Sequence, residues 1–212
     1  ITEIEVEVLD KWWDYDNKEA QQTRKNVFEA AEQLQARHIK VFGPDGDIEK
    51  DKFIEEFAKL CKDAENIGTK IAMEFMPFKK DMDCIKKGLE VFRAAGAKNG
   101  GFCLDTWHTF MGPSTYDEIS LIKPEEIVTV ELEDGYAELV SGSLWRDTCD
   151  YRLPAGEGDF NCKDFIKRVL DLGYMGTIGC EIIAIDHREL PLKRAAARAY
   201  ASRDPPAAGA VA

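Results

Sequence analysis

The chain has 212 residues, 44% of them hydrophobic and 32% charged, which suits one globular domain with a sizeable core. A formal charge of −12 disfavours nucleic acid or an anionic membrane as a partner, since both need a basic face. The apolar runs are too short to cross a bilayer and no secretory pattern opens the chain. The six cysteines (61, 84, 103, 149, 162 and 180) show no metal or CxxC spacing, so a reduced, cytoplasmic protein is expected.

Six short apolar runs read as strands: 2–9, 37–42, 70–75, 101–106, 127–133 and 177–183. In the first, Glu5 and Glu7 alternate with Ile4, Val6 and Val8, giving one polar face. Helical patterns separate the runs. Residues 18–36 align Val27, Ala30, Ala31 and Leu34, and residues 51–66 align Phe53, Ile54, Phe57, Leu60, Cys61 and Ala64. Residues 82–95 align Ile85, Leu89 and Phe92, and residues 161–172 align Phe165, Ile166, Val169 and Leu170. Asp51 and Asn161 are candidate N-caps; Gly68, Gly96 and Gly173 are candidate C-caps. The segment 203–212 is of low complexity and is expected to fray, leaving one domain over 1–202.

Four acids stand at the ends of these runs. Glu74 closes Ile71-Ala72-Met73, Asp105 closes Phe102-Cys103-Leu104, Glu131 follows Ile127-Val128-Thr129-Val130, and Glu181 follows Ile178-Gly179-Cys180. Burying one carboxylate alone is very costly, so each taken singly reads as a paired or mouth-exposed acid. Four in register at the C-terminal ends of parallel strands instead point to a divalent cation. The first two intervals, 31 and 26 residues, match the roughly 31 residues per unit of a (β/α)8 barrel. The third interval is 50 residues and carries an enlarged loop over Asp134–Asp159. Six strands do not close an eight-stranded barrel. The expectation is a (β/α)8 TIM barrel that lacks about two N-terminal βα units, on the order of 60 residues. The alternative is an open α/β sheet complete as written.

Lys40 and His38 share one face of their strand by parity, and a Lys on a barrel strand wants an anionic partner, either the acid cluster or a substrate. A buried structural ion pair is the plainer explanation. His108 follows Asp105 by three residues and should project over the same mouth. Arg152, in the enlarged loop, can clamp a substrate oxygen or lie solvated. Trp12, Trp13 and Trp107 suit either a wall for a sugar ring or packing beneath loops.

The ordered set Ala-Met-Glu74-Phe-Met-Pro-Phe, Leu104-Asp105-Thr106-Trp107-His108, Val-Glu131-Leu-Glu-Asp, Arg152-Leu-Pro-Ala-Gly-Glu-Gly158-Asp and Gly-Cys-Glu181-Ile-Ile resembles the xylose-isomerase-like TIM barrels. Within them it looks most like the sugar phosphate isomerase/epimerase group, and the resemblance spans roughly residues 1–200. It implies a Mn²⁺, Mg²⁺ or Co²⁺ ion on Glu74, Asp105, Glu131 and Glu181. Glu131 departs from relatives that place His or Gln there. Four carboxylates exceed a dication by two charges; an all-oxygen site of that kind suits Mg²⁺ or Mn²⁺ and not zinc. The resemblance also implies that His108 binds substrate oxygen or shuttles protons.

The implied reaction is proton abstraction next to a carbonyl through a metal-stabilised enediolate, with Glu74, Glu181 and His108 as catalytic groups and Lys40, Arg152 and Trp107 as substrate contacts. Returning the proton gives isomerisation or epimerisation of a sugar or polyol. Expelling a β-hydroxyl gives dehydration of the inosose or 3-dehydroshikimate type. An AP-endonuclease-like activity needs several metal-binding histidines and a basic face, and this chain has three histidines. A non-catalytic barrel subunit, and association of the chain with copies of itself, stay open. Arg152 and His108 are expected to approach a substrate from opposite sides.

Overall fold

The computed structural model describes residues 8–202. In chain order the main elements are α1 (Lys18–Leu34), β1 (His38–Phe42), α2 (Lys50–Asn66), β2 (Lys70–Glu74), α3 (Ile85–Ala95), β3 (Gly100–Asp105) and α4 (Thr106–Met111). Two 3-10 turns lead into β4 (Ile127–Glu131), followed by α5 (Leu144–Asp150), α6 (Cys162–Asp171), β5 (Ile178–Gly179), α7 (Ile185–Arg188) and α8 (Leu192–Ala201). The strands form one parallel sheet in the order β1-β2-β3-β4-β5. Consecutive parallel strands joined by helical crossovers are the repeating unit of a TIM barrel, and this is five units of its arc.

Of the expected 2–9 strand, residues 1–7 lie outside the described residues; Leu9 makes a parallel bridge to Val41 beyond β1. The 203–212 tail also lies outside them. The expected 177–183 strand is shortened to two residues, so Glu181 stands just past it. One of the two expected N-caps shifts, and the other holds its place without capping through its side chain. Helix α2 begins at Lys50 with Glu49 at its cap, so Asp51 lies in the first turn. Asn161 occupies the cap of α6, but in the left-handed conformation and with no side-chain hydrogen bond. Gly96 ends α3 at φ 65°, the conformation that favours glycine.

Alternation along the strands sorts the residues into two faces. Ile39, Val41, Ile71, Met73, Phe102, Leu104 and Val130 pack outward into the core beneath the helices. There Phe102 meets Phe92 of α3 at 4.7 Å between ring centroids, and Phe57 of α2 meets Phe92 at 5.3 Å. Trp12 and Trp13 join this core against Phe53, and Trp12 Nε1 donates to Phe42 O at 3.0 Å. They are packing residues below a loop and not a wall of the mouth. The inner face carries His38, Lys40, Ala72, Glu74, Gly101, Cys103, Asp105, Thr129 and Glu131.

His38, deep on that inner face, has its pKa lowered to about 4, by burial first and then by the charges of Lys40 and Lys70. The folded value lies below the unfolded value of about 6.5. The unfolded chain therefore binds a proton that the folded chain refuses, and stability falls as pH drops below about 6.5, flattening near 4. Between pH 7 and 4.5 the wild-type chain should lose about 2–3 kcal/mol more than His38→Leu, because each pH unit is worth about 1.36 kcal/mol per proton. Denaturant unfolding of both chains at the two pH values checks this; equal losses would assign the acid sensitivity to other groups.

Candidate metal and active site

The register that aligns Glu74 with Cys103, and Asp105 with Glu131, brings the acids to one end of the sheet. One carboxylate oxygen from each of Glu74, Asp105, Glu131 and Glu181 lies within 4.8 Å of the others. The four residues expected from sequence are thus brought together. Glu74 and Asp105 are almost fully buried, Glu131 nearly so, and Glu181 keeps 24% of its side chain exposed. Glu181 is the acid that faces the opening.

Two buried cations lie among them. Lys40 Nζ donates to Glu131 at 2.8 and 3.0 Å and to Glu181 at 3.0 Å, and stands 3.4 Å from Glu74 Oε1. Arg152 Nη1 contacts Asp105 at 2.8 Å and Glu181 at 2.9 Å, with Glu133 at 3.5 Å. The remaining guanidinium nitrogens are held by Thr148: Nε donates to its carbonyl at 2.9 Å and Nη2 to its hydroxyl at 2.7 Å. Arg152 is 2% exposed, so it is neither a solvated loop residue nor a lone arm reaching into open space. Nor do Arg152 and His108 stand on opposite sides, because Arg152 Nη2 and His108 Nε2 are 3.3 Å apart. Trp107 is also buried, with the Arg152 guanidinium carbon 5.7 Å from its ring centroid, so it props the arginine from below.

The charges set one another's titration. Burial pushes Glu74 well above the usual carboxylate range; Lys40 opposes this, and Glu181, Glu131 and Asp105 reinforce it. For Asp105 burial also pulls upward, but the Arg152 guanidinium overrides it and holds the carboxyl well below its ordinary value. His108 is lowered to about 3, chiefly by burial, which leaves a neutral imidazole at neutral pH. A guanidinium can only donate, so its contact makes His108 Nε2 the acceptor and puts the ring proton on Nδ1.

Glu133 was missed by sequence reasoning. It is fully buried, accepts from Trp107 N at 2.8 Å, and burial and Asp105 push its pKa well up. Its signal was legible: in Val-Glu131-Leu-Glu133 the two acids share one face by parity. The rim was missed as well. Phe78 lies 6.1 Å from His108 and 5.5 Å from Trp145, centroid to centroid, and Trp145 is 60% exposed. In the enlarged loop Asp134 accepts from Gly135 N, Phe160 N and Gly156 N at 2.9 Å each. A backbone bridge joins Asp134 to Leu153, the residue after Arg152.

The residues fit a hard dication. Glu74 Oε1 is buried and receives no hydrogen bond, and the four converging carboxylates present oxygen donors. The two charges by which four carboxylates exceed a dication are matched by Lys40 and Arg152. A dication here would draw the proton off Glu74, since its charge outweighs the neighbouring acids.

Comparison with known proteins agrees with this architecture. The chain is 23% identical over 139 residues to 3-dehydroshikimate dehydratase of Pseudomonas aeruginosa, a match spanning 66% of the chain and 22% of that protein's length. The crystal structure of IolI protein with a bound zinc atom superposes with a TM-score of 0.81 at 18% identity, covering 94% of this chain and 74% of that one. D-psicose 3-epimerase from Clostridium cellulolyticum H10, solved with D-tagatose, superposes at 0.67 and 15% identity, covering 90% and 71%. At such identities the structural likeness is one of fold. A family model described as the xylose isomerase-like TIM barrel matches residues 11–202, and the chain belongs to that family.

Proposed function

We propose that this chain is a divalent-metal-dependent isomerase or epimerase acting on a sugar or polyol next to a carbonyl carbon. The observation that carries the reading is the convergence of Glu74, Asp105, Glu131 and Glu181 within 4.8 Å at the mouth of the sheet, with Lys40 and Arg152 fixed among them. A Mn²⁺ or Mg²⁺ ion on these oxygens would polarise adjacent carbonyl and hydroxyl oxygens and acidify the neighbouring C–H.

The chain's own residues supply the rest. Glu181, the most exposed of the four, is placed to take the proton and return it. Neutral His108, with Nε2 as acceptor, is a second proton carrier beside Glu74 Oε1 at 3.5 Å. Lys40 and Arg152 hold the carboxylates in place and offset their charge, so binding a neutral polyol does not require the site to reorganise. Phe78 and Trp145 offer an apolar rim to the ring face of a substrate.

A dehydratase is the second reading. The sequence likeness to a 3-dehydroshikimate dehydratase favours it, and it shares the first proton abstraction. Purified chain should bind one equivalent of Mn²⁺ by calorimetry, and Glu74→Gln should lose that binding by at least about tenfold. Deuterium from solvent should enter the carbon next to the carbonyl of a keto-sugar or inosose. Exchange without loss of water supports isomerase chemistry, and exchange with loss of water supports the dehydratase. A chain that binds no dication would overturn both.

A further inference from the structure

On the inner face of β3, two residues before Asp105 and one pleat deeper, lies Cys103. It is fully buried and pairs in register with Glu74 on β2. A buried free cysteine ordinarily behaves as a small hydrophobe among apolar side chains. This one does not sit in such company. Cys103 Sγ and one carboxylate oxygen each from Glu74 and Glu131 lie within 4.8 Å of one another, and all three residues are buried. The second mark of a ligand position is Glu74 Oε1, 97% of whose residue surface is buried and which receives no hydrogen bond. Lys40 Nζ and His108 Nε2 approach it only to 3.4 and 3.5 Å.

We propose that Glu74, Cys103 and Glu131 form a softer cation seat below the four-carboxylate one, taken by thiophilic dications such as zinc or cadmium. Thiolate selects borderline and soft metals, whereas carboxylate alone suits magnesium and manganese. Two oxygens and one sulfur make a three-ligand set of the kind zinc accepts, and an ion there displaces the Lys40 ammonium that otherwise bonds both Glu131 oxygens. Binding breaks the Cys103 S–H bond and forms a metal–sulfur bond, and the proton is released to solvent. Glu74 and Glu131 belong to both seats, so the two ions exclude one another: a thiophilic ion displaces manganese and sits further from the mouth. The inference deepens the metal reading above for those two residues and is independent of the reaction catalysed.

The test is a titration of the metal-free full chain with Cd²⁺, followed by the ultraviolet thiolate-to-cadmium charge-transfer absorption. Wild type is compared with Cys103→Ala and with Cys103→Ser, which keeps the size of the side chain. The wild-type band should saturate at one equivalent. Both variants should lose it and bind cadmium at least about tenfold more weakly, the order expected when a metal site loses a partner. Their Mn²⁺ affinity should be unchanged. A band of equal size in the variants, or none in wild type, would overturn the inference. A Cys103-dependent cadmium band without any manganese binding would leave it standing and remove the four-carboxylate reading instead.

Discussion

Arg152→Ala should lower the stability of the fold by about 3–5 kcal/mol, the range for removing one partner of a buried ion pair. Arg152 is 2% exposed and is the cation touching Asp105 and Glu133, both fully buried. Removing it leaves their charge and hydrogen-bonding capacity unmet and opens a space beside Trp107. For a chain of this length the loss corresponds to a fall in Tm of roughly 6–20 °C. Because the guanidinium holds the Asp105 pKa below its unfolded value, the stability it confers is present above the ordinary carboxylate pKa and lost as pH falls. The gap between wild type and variant should therefore narrow below about pH 4. Thermal melts at pH 7 and pH 3.5 check both statements, and an unchanged Tm at pH 7 would mean that the guanidinium is not inside the acid cluster. The sequence alone favours an effect on KM over kcat for this substitution. Burial changes that expectation, since a partly unfolded variant cannot report on binding, and Arg152→Lys is the variant to use for kinetics.

Glu181→Gln should have the opposite profile, with turnover lost and the fold kept. Its side chain is partly exposed, and the two cations it touches retain other carboxylates: Lys40 keeps Glu131, and Arg152 keeps Asp105. The amide removes a negative charge from the metal position and a proton acceptor from the mouth together. Loss of positioned proton transfer alone is worth about 10²–10⁴-fold. Turnover and solvent deuterium exchange should fall by that factor in parallel, with Tm shifted far less than in Arg152→Ala. Near-normal kcat would move the proton-transfer role to His108 or Glu74.

The parallel strands were legible because a strand buried on both faces has to be written in apolar residues, as Ile71-Ala72-Met73 and Phe102-Cys103-Leu104 are. An acid that ends such a run violates the pattern, and four of the five inner acids were found that way. Glu133 was not, since it follows the strand by two residues and sits in a run of acids that looks like a solvated turn. The helices α5, α7 and α8 were also missed. Leu144–Asp150 and Ile185–Arg188 are too short to display a period, and Leu192–Ala201 is mostly alanine and arginine. The pairing of Arg152 with His108 is a long-range contact between residues 44 apart, which no local pattern encodes.

The bridge between Asp134 and Leu153, with Asp134 also gripping the amides of Gly156 and Phe160, closes the enlarged loop at its neck. The stretch from Tyr136 to Tyr151 hangs from that neck as a cassette, anchored near its end by Thr148 bonded to Arg152 and by Cys149 and Asp150 bonded to Arg188. Its length and content can change over evolutionary time at small entropic cost, since closing a longer loop adds only about 0.6 kcal/mol per doubling. Arg152 abuts the knot itself, and Thr148, near the end of the cassette, holds its guanidinium, so that station is kept as long as Thr148 is kept. Trp145, carried inside the cassette, does not share that constraint. One scaffold could thus exchange its substrate rim by changing the residues around Trp145, from Tyr136 to Arg146, while Thr148 and the acids and cations beneath it stay where they are.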